Sequence, residues 1–505
     1  MANFFVKPFN KSITIKILRI ITAAPFVAVT VLLASCESDV TVSSSETVFE
    51  ATAVQAVPPV AGSKLAPSVV ELDAADAATV AGIYINSNAS SRSGAVKSVS
   101  RSGNAQTVKN IVAINDSAGN PAIYAVNYED GYIMVSATQK YFPILAEVEH
   151  GTFSLDVLKE TGMEVVVDEM LADIALARSG KYDFKATAYW RGYVDNDTPQ
   201  MRKSKSRASD DYWEEYDRWR FSDGVYGNNV YYLHDCFDNG ILPEDVYDSY
   251  VRAAQDEDLW EGTEYSWWWT AYVVEKNTST VETHGPLLTT RWDQGSPYNT
   301  TGKEALGCVT IATGQLMKYY RHPTSFNWDN MPDAMSKYTV APDLTTFLAR
   351  LRSELRVNDN GGATIGDAKR VLQNYGYNIT ETNHNDSKII ASLKKEYPVF
   401  AQGRDPNNQI GHAWVIDGLD NSTSLTEYVL YRLADSYYPN FRYEEAQCYE
   451  KYQKYTSITR YHYNWGWGGD HNGWFLYNVV PEINTGLKVS KYSEDRKELI
   501  INSYK

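Results

Sequence analysis

The sequence is a chain of 505 residues with a formal net charge of −16 at pH 7 and a pI near 5.1. This acidic balance argues against nucleic acid and against an anionic membrane surface as partners. The length allows two or more domains with sizeable hydrophobic cores. The 37 Tyr and 13 Trp residues suit a β-rich extracellular protein, and they would equally suit a glycan-binding surface.

The first 35 residues have the pattern of a signal peptide, with Lys and Arg followed by a short apolar run. A Leu-Ala-Ser-Cys motif then ends at Cys36 and matches a bacterial lipoprotein signal, in which this cysteine is lipidated. The alternative is an ordinary signal peptide with a chance cysteine. We predict export to the cell envelope and anchoring at the outer membrane by the lipid alone, from which a mature form can be released. No later stretch approaches the about 20 apolar residues of a spanning helix.

After a tether over residues 36–74, residues 75–185 are predicted to form a small α+β domain. Two strand-like runs are joined by Glu129-Asp130-Gly131, which is a strong hairpin signal. The predicted elements are a short helix running into a strand at Ala74–Ile85, strands at Ala122–Tyr128, Tyr132–Ser136 and Ile144–Val148, and a helix at Met163–Ala177.

Residues 186–283 are an aromatic-rich extension, and we predict short helices or strands there, among them Val246–Ala254. The sequence leaves open whether this stretch elaborates the preceding domain or forms a module of its own. With Cys36 lipidated, an odd number of cysteines remains. Cys236 and Cys448 can pair, or both can be free and buried.

Residues 284–505 carry a helical pattern first and a run of strands later, which predicts a second α+β domain. Its first helix begins at or just after Cys308 and ends before Pro323. The free N–H groups and the dipole of a helix N-terminus favour a thiolate, so Cys308 is a candidate nucleophile. The alternative is a small apolar residue at the start of a core helix.

Acyl transfer by a cysteine also needs a base, a group that orients the base, and donors for the developing oxyanion. His412 opens a predicted strand between glycines and can be the base, although it can also be an ordinary core or surface histidine. The amide oxygen of Asn464 can accept a hydrogen bond from an imidazole, while its Trp- and Gly-rich loop also fits a tight turn or a sugar platform. The amide of Gln294 can donate to an oxyanion together with the Cys308 N–H.

The order Cys, His, Asn is that of papain-like peptidases. Four blocks in this order resemble the streptopain family over residues 284–480, and residues 75–185 more weakly resemble its propeptide. The resemblance implies a papain-like α+β peptidase domain at 284–505, preceded by the small α+β propeptide domain. The four blocks are Trp292–Asn299, Gly307–Pro323, Gly411–Gly418 and Asn464–Gly473.

Carried over residue by residue, the resemblance implies Cys308 as nucleophile, His412 as general base and acid, and Asn464 as the residue that orients the imidazole. Gly362 stands where the family has a serine in a substrate-binding loop. The stretch between His412 and Asn464 is longer than in streptopain, which predicts an added hairpin near the cleft. The other implied positions are the oxyanion donor Gln294, the cleft residue Trp465 and the substrate-contacting Gly411.

These features together predict an exported thiol endopeptidase acting on proteins or peptides through a covalent acyl-enzyme. We expect it to be made as a zymogen, with residues up to about 280 acting as an intramolecular inhibitor until cleavage near Val281–Pro286 or Arg202–Arg207. Alternatives are an inactive homologue, a surface lipoprotein that binds glycan or protein, and a transglutaminase-like acyltransferase. No Cys-x-x-Cys or His-x-x-x-His pair occurs, so we predict neither a metal nor another cofactor.

Overall fold

The protein was analysed as a computed structural model that describes residues 51–54, 64–66, 68–91, 107–184, 186–190, 192–194, 229–238, 241–255, 271–303, 305–404, 411–433, 443–445, 452–477 and 496–505. The segment Glu46–Lys505 is one compact unit, and its described strands form one 14-stranded sheet. The predicted α+β class is confirmed. No helix within the described ranges is long and apolar enough to cross a membrane. The predicted signal peptide, Cys36 and the basic run at 202–207 lie outside the described residues.

The N-terminal part, meaning the described residues from 51 to 194, is an antiparallel meander covered by helices. Helix α1 packs on β3 and β4, and it is longer than predicted because residues at helical spacing up to Tyr84 are buried. The predicted change to a strand before Ile85 is therefore wrong. The elements are β1 Ala51–Val54, α1 Ala74–Ser91, β2 Asn110–Asn115, β3 Pro121–Asn127, β4 Tyr132–Ser136, β5 Ile144–Val148, α2 Leu155–Thr161, α3 Glu164–Ser179 and α4 Thr187–Trp190.

Helix α3 contains a buried acid, Asp173, whose side chain is enclosed by the N-terminal part. Burial raises the pKa of this carboxyl to about 8, and the charge of Glu169 adds to the rise. The Tyr141 hydroxyl donates to Asp173 at 2.8 Å and acts in the opposite direction. Asp173 is therefore protonated in the folded protein at neutral pH.

We expect the free energy of unfolding to fall as the pH rises from about 4 to about 8. Over this window the folded state keeps the Asp173 proton, whereas the unfolded carboxyl, with a pKa of 3.8, has lost it. Asp173→Asn should remove this slope, and thermal unfolding at about pH 5 and about pH 8 measures it. The matched variant Asp156→Asn removes an exposed acid of α2 and should keep the slope. Equal slopes in Asp173→Asn and the unsubstituted protein would contradict the assignment.

The middle part, residues 229–284 as far as they are described, packs against a long hairpin. Strands β10 and β12 form this hairpin, and the 14-residue β7 pairs along the other edge of β10. Cys236 is buried in a small separate core here, while Cys448 lies outside the described residues, so their pairing stays a prediction. The elements are β6 Asn229–Tyr232, α5 Leu233–Asp238, α6 Glu244–Gln255, β7 Ala271–His284, β10 Gly411–Leu433, β11 Tyr443–Glu445 and β12 Tyr452–Asn464.

The C-terminal part, residues 285–505 as far as they are described, sets helices against the remaining strands. Its core encloses helix α7, whose side chains from Val309 to Met317 are all buried. Helix α9 begins at a capping box in which Thr364 and Asp367 satisfy each other's backbone N–H groups. The further elements are α7 Cys308–Tyr320, α8 Pro342–Glu354, α9 Ile365–Asn374, β8 Tyr377–Asn383, α10 Asp386–Leu393, β9 Val399–Arg404, β13 Gly473–Tyr477 and β14 Lys497–Tyr504.

The N-terminal and C-terminal parts share the sheet, because β5 and β13 pair edge to edge. Val148 lies opposite Gly473, and an added Cβ at Gly473 would be 2.3 Å from the Glu147 carbonyl oxygen. Only glycine permits this approach of the two strands. The strand order through the junction is β2-β3-β4-β5-β13-β12-β10-β9.

Candidate active site

Cys308 is the first residue of helix α7, and the backbone before it depends on glycine. Gly307 has a φ of +89°, and a Cβ there would be 2.3 Å from the carbonyl oxygen of Gly361. The loop that carries Gly362 therefore lies directly beside the residue preceding the thiol. Gly362 itself donates its backbone N–H to Asn358 Oδ1 at 2.8 Å. A substrate contact at Gly362 stays a prediction.

The Cys308 sulfur faces backbone N–H groups, namely those of Ala413, Val309 and Cys308 itself. Burial is nevertheless the largest influence and raises the pKa of the thiol above its usual value, while these N–H groups act in the opposite direction. The N–H groups at the helix start thus favour the thiolate, as expected, but desolvation outweighs them in this conformation. At neutral pH the group is a thiol.

His412 lies beside Ala413 on β10, but its ring is bonded elsewhere. Its Nε2 is 3.1 Å from the Trp465 carbonyl oxygen, and since a carbonyl only accepts, Nε2 carries the proton. Burial lowers the pKa of the imidazole to about 4, and the bond to Trp465 offsets only part of this. The ring is enclosed by Trp414, Trp465 and Trp467, with centroids 6.0–6.4 Å away. A neutral His412 beside a neutral thiol is not the thiolate–imidazolium pair of an active cysteine enzyme.

The N-terminal part is in direct contact with this histidine. Gly162, in the turn between α2 and α3, has a φ of +75°. A Cβ at Gly162 would lie 2.3 Å from His412 Cβ, 2.6 Å from Cγ and 2.7 Å from Cδ2. The turn therefore occupies the space beside the imidazole. Nothing in the local sequence of Gly162 predicts this contact.

Asn464 is buried at the end of β12, and both ends of its amide are engaged. Its Nδ2 donates to the Thr290 carbonyl oxygen at 2.8 Å, and its Oδ1 accepts from Gln315 Nε2 at 3.1 Å and from the Gly466 N–H at 3.2 Å. The imidazole is bonded to Trp465 in this conformation, so orientation of His412 by Asn464 stays a prediction. Gln315 was missed by the sequence analysis. The signal available in the sequence was a polar residue two turns after Cys308 in a predicted core helix, and the structure shows that this residue is wholly buried.

Gln294 lies in a loop that is hydrogen-bonded to Leu306, two residues before Cys308. Its backbone carbonyl accepts from the Leu306 N–H at 2.9 Å, which fastens the loop to the residues leading into α7. The neighbouring Trp292 carbonyl accepts from the Gly468 N–H at 3.0 Å, so the same loop also contacts the Trp-Gly segment after Asn464. The role of Gln294 as an oxyanion donor stays a prediction.

The two remaining predicted site residues, Gly411 and Trp465, both lie next to His412, the first along the strand and the second through its carbonyl. Gly411 is the exposed first residue of β10 and lies opposite Arg404 of β9. The Trp465 side chain is fully buried, and its carbonyl holds the imidazole. Trp465 is thus a wall of the histidine site, while a contact of Gly411 with substrate stays a prediction.

A thiol at a helix start, with an imidazole on the adjoining strand, is the chemistry of a cysteine-type peptidase. Residues 292–475 match the sequence model of the Peptidase C10 family, which is the streptopain family. This part of the chain is therefore similar to Peptidase C10 domains, and the relatives reported below include a thiol protease.

Individual relatives are distant. The chain is 24% identical to the thiol protease/hemagglutinin PrtT of Porphyromonas gingivalis, over 43% of this chain and 26% of that protein. It is also 24% identical to a streptopain of Streptococcus pyogenes serotype M28, over 37% of this chain and 54% of that protein. The chain thus spans about a quarter and about half of the curated relatives it matches. A solved fragment of Prevotella intermedia prointerpain A aligns with a TM-score of 0.40 and 16% identity, over 77% of this chain and 96% of the fragment.

Proposed function

We propose that the protein is an endopeptidase made as a zymogen, in which the N-terminal part holds the site inactive. One observation carries this: the turn at Gly162 lies against His412, whose Nε2 proton is bound by the Trp465 carbonyl. With both Cys308 and His412 neutral, the nucleophile is not activated. Displacement of the turn frees space for the imidazole to move toward the sulfur.

In the active form, His412 takes the proton of Cys308, and the thiolate attacks the carbonyl carbon of the peptide bond. The Cys308 N–H and the Gln294 amide donate to the oxyanion that forms. The imidazolium, oriented by Asn464, then gives its proton to the leaving amine as the C–N bond breaks. Water, deprotonated by His412, hydrolyses the remaining thioester and regenerates the thiol. No cofactor enters these steps.

The start of the C-terminal part suits release by proteolysis. Val281, the first residue of the predicted cleavage stretch, is 66% exposed. The residues just after that stretch, Leu287 and Leu288, are both hydrogen-bonded to Asp417 of β10. The Leu287 N–H donates to the Asp417 backbone carbonyl at 2.8 Å, and the Leu288 N–H donates to its carboxylate at 3.0 Å. A cut before residue 285 would leave the new terminus fastened beside β10.

Labelling of Cys308 by a thiol-reactive epoxide tests the zymogen. Because the pKa of the thiol is raised by burial, the full-length chain should label slowly at pH 7 and faster as the pH rises through the pKa of the thiol. After incubation with reductant, a shorter form should appear that labels stoichiometrically and cleaves casein. Stoichiometric labelling and casein cleavage by an unprocessed chain at pH 7 would refute the zymogen. Absence of labelling and cleavage in every form would refute the peptidase itself.

We also propose export and anchoring through lipid on Cys36, on the strength of the signal-like pattern before it. Such a lipid would hold the precursor at the membrane, and cleavage near residues 281–286 would release the C-terminal part. Mass spectrometry of the peptide that begins at residue 36 tests this proposal, since an unmodified thiol there would exclude the lipid.

A further inference from the structure

A buried guanidinium lies beside the histidine site. Arg496, immediately before β14, is fully buried, and its Cζ lies 5.6 Å from the Trp414 ring centre. Trp414 in turn stacks beside the His412 ring on the same face of β10. The rings of Tyr463 and Tyr477 also contact the guanidinium, at 5.9 Å and 5.8 Å. Arg496 is thus one aromatic side chain away from the imidazole.

The carboxylate that faces this guanidinium comes from the N-terminal part. Both carboxylate oxygens of Glu169 lie near Nη1 of Arg496, at 3.3 Å and 3.5 Å. Nη2 of Arg496 donates to the Tyr463 hydroxyl at 3.1 Å. On the same face of α3, Val165 lies over Gly403, since a Cβ added there would be 3.2 Å and 3.3 Å from the Val165 methyl carbons and 3.1 Å from the Trp414 ring. Gly162, Val165 and Glu169 therefore cover a line of residues that runs from His412 past Trp414 to Arg496.

A second acidic residue near Arg496, Glu498, makes its shorter contact with a different residue. Glu498 Oε1 is 3.5 Å from Arg496 Nε but 2.6 Å from His384 Nδ1. Burial lowers the pKa of His384, but its hydrogen bonds to Asp386 and Glu498 outweigh burial and raise that pKa above its usual value. Glu498 is therefore held mainly by His384. When Glu169 leaves, Arg496 loses the carboxylate that faces its terminal nitrogens.

The position of Arg496 relative to the reaction follows from β10. Ala413 and Val415 face the core around α7, whereas Trp414 faces the opposite core, which the N-terminal part completes. In acyl transfer by a cysteine, the imidazole protonates the leaving amine and so lies on the leaving-group side of the substrate. The surface from His412 to Arg496 continues on that side, away from the helix that carries the thiol.

We propose that Arg496 is a specificity-determining residue that binds an acidic side chain of the substrate on the leaving-group side of the cleaved bond. Glu169 occupies this subsite in the precursor as the carboxylate of the N-terminal part. The inference rests on the proposed peptidase function. A guanidinium stacked on aromatic rings keeps its orientation, and pairing with a carboxylate is the strongest interaction it can offer a peptide.

Paired peptides that differ only in Glu or Gln, placed in turn at the first four positions after the cleaved bond, test this subsite. The enzyme is the full chain after incubation with reductant, in whatever form is active. We expect kcat/KM about 10-fold higher or more for Glu at one of these positions, as for a hydrogen bond to a charged group. Arg496→Gln should bring the ratio of the two kcat/KM values near one, since the contact with the substrate carboxylate is lost.

Arg460→Gln is the matched control, because Arg460 is a partly buried arginine that also contacts the N-terminal part, through Tyr84, and is not among the residues that pack on Trp414. It should keep the Glu preference. Equal kcat/KM for Glu and Gln at every position in the unsubstituted enzyme overturns the subsite even if Arg496→Gln fails to fold. Cys308-dependent cleavage without preference would leave the peptidase function intact, whereas absence of cleavage of all peptides would overturn both.

Discussion

Replacing Gly162 by Ala will give a full-length chain that hydrolyses peptides about 10-fold faster or more than the unsubstituted full-length chain. The added Cβ would be 2.3 Å from His412 Cβ, so rotation of the imidazole alone cannot relieve the clash. Either the turn or strand β10 must move, and overpacking of this kind costs about 1–3 kcal/mol. The turn belongs to the N-terminal part, which we propose is displaced on activation. We therefore expect the turn, rather than β10, to move away from His412.

The measurement is the initial rate of casein or peptide hydrolysis before any shorter form appears on a gel. Gly180→Ala is the matched control, because Gly180 follows helix α3 with a φ of +70° but has open space around its Cβ position. Both variants carry the strain of a left-handed backbone, and only Gly162→Ala carries the clash. Equal rates in the two variants would mean that contact with His412 does not hold the site inactive.

Cys308→Ala should lower thiol-dependent hydrolysis by a factor of about 10⁴ or more, to the background of the assay. Removal of the nucleophile leaves no group that can form the acyl-enzyme, and losses of this size follow removal of a nucleophile in related chemistry. Hydrolysis is followed with casein after incubation with reductant, with the same preparation tested for epoxide labelling.

Cys236→Ala separates a chemical role from a structural one. Cys236 is buried in the core of the middle part, away from helix α7, and burial raises the pKa of its thiol. Its replacement should lower thermal stability while leaving kcat/KM unchanged. Hydrolysis retained by Cys308→Ala, or lost equally in Cys236→Ala, would exclude Cys308 as the nucleophile.

Much of the fold was readable from local patterns. The turn at Glu129-Asp130-Gly131 predicted the hairpin of β3 and β4, and the apolar spacing after Cys308 predicted helix α7. The stretch between His412 and Asn464 contains the predicted hairpin, formed by β10 and β12, while its position near the cleft and its being an addition to the streptopain fold stay predictions. Its extent was not predictable, since β10 runs for 23 residues through polar positions around Asn421. There the ladders to β7 and β12, rather than local propensity, keep the chain extended.

The sequence predicted which residues belong to the site, but not the protonation states of Cys308 and His412 in this structure. The spacing of Cys308 and His412 indicated a reactive pair, yet desolvation leaves both neutral, and Gly162, far away in sequence, packs against His412. The contacts of Gly162 with His412 and of Glu169 with Arg496 join residues that are far apart in the sequence. No periodicity or motif predicts such contacts, since each depends on how the N-terminal and C-terminal parts pack against each other.

The shared sheet has a consequence for the processed enzyme. Strand β13 pairs with β12 on one side and with β5 on the other, over Gly473, Trp474 and Phe475. Removal of β5 would leave a row of main-chain N–H and C=O groups on β13 facing water, bordered by two large aromatic residues. An uncovered strand of that composition is a template for self-association. The freed enzyme should therefore be less soluble than its parent unless another segment takes the place of β5.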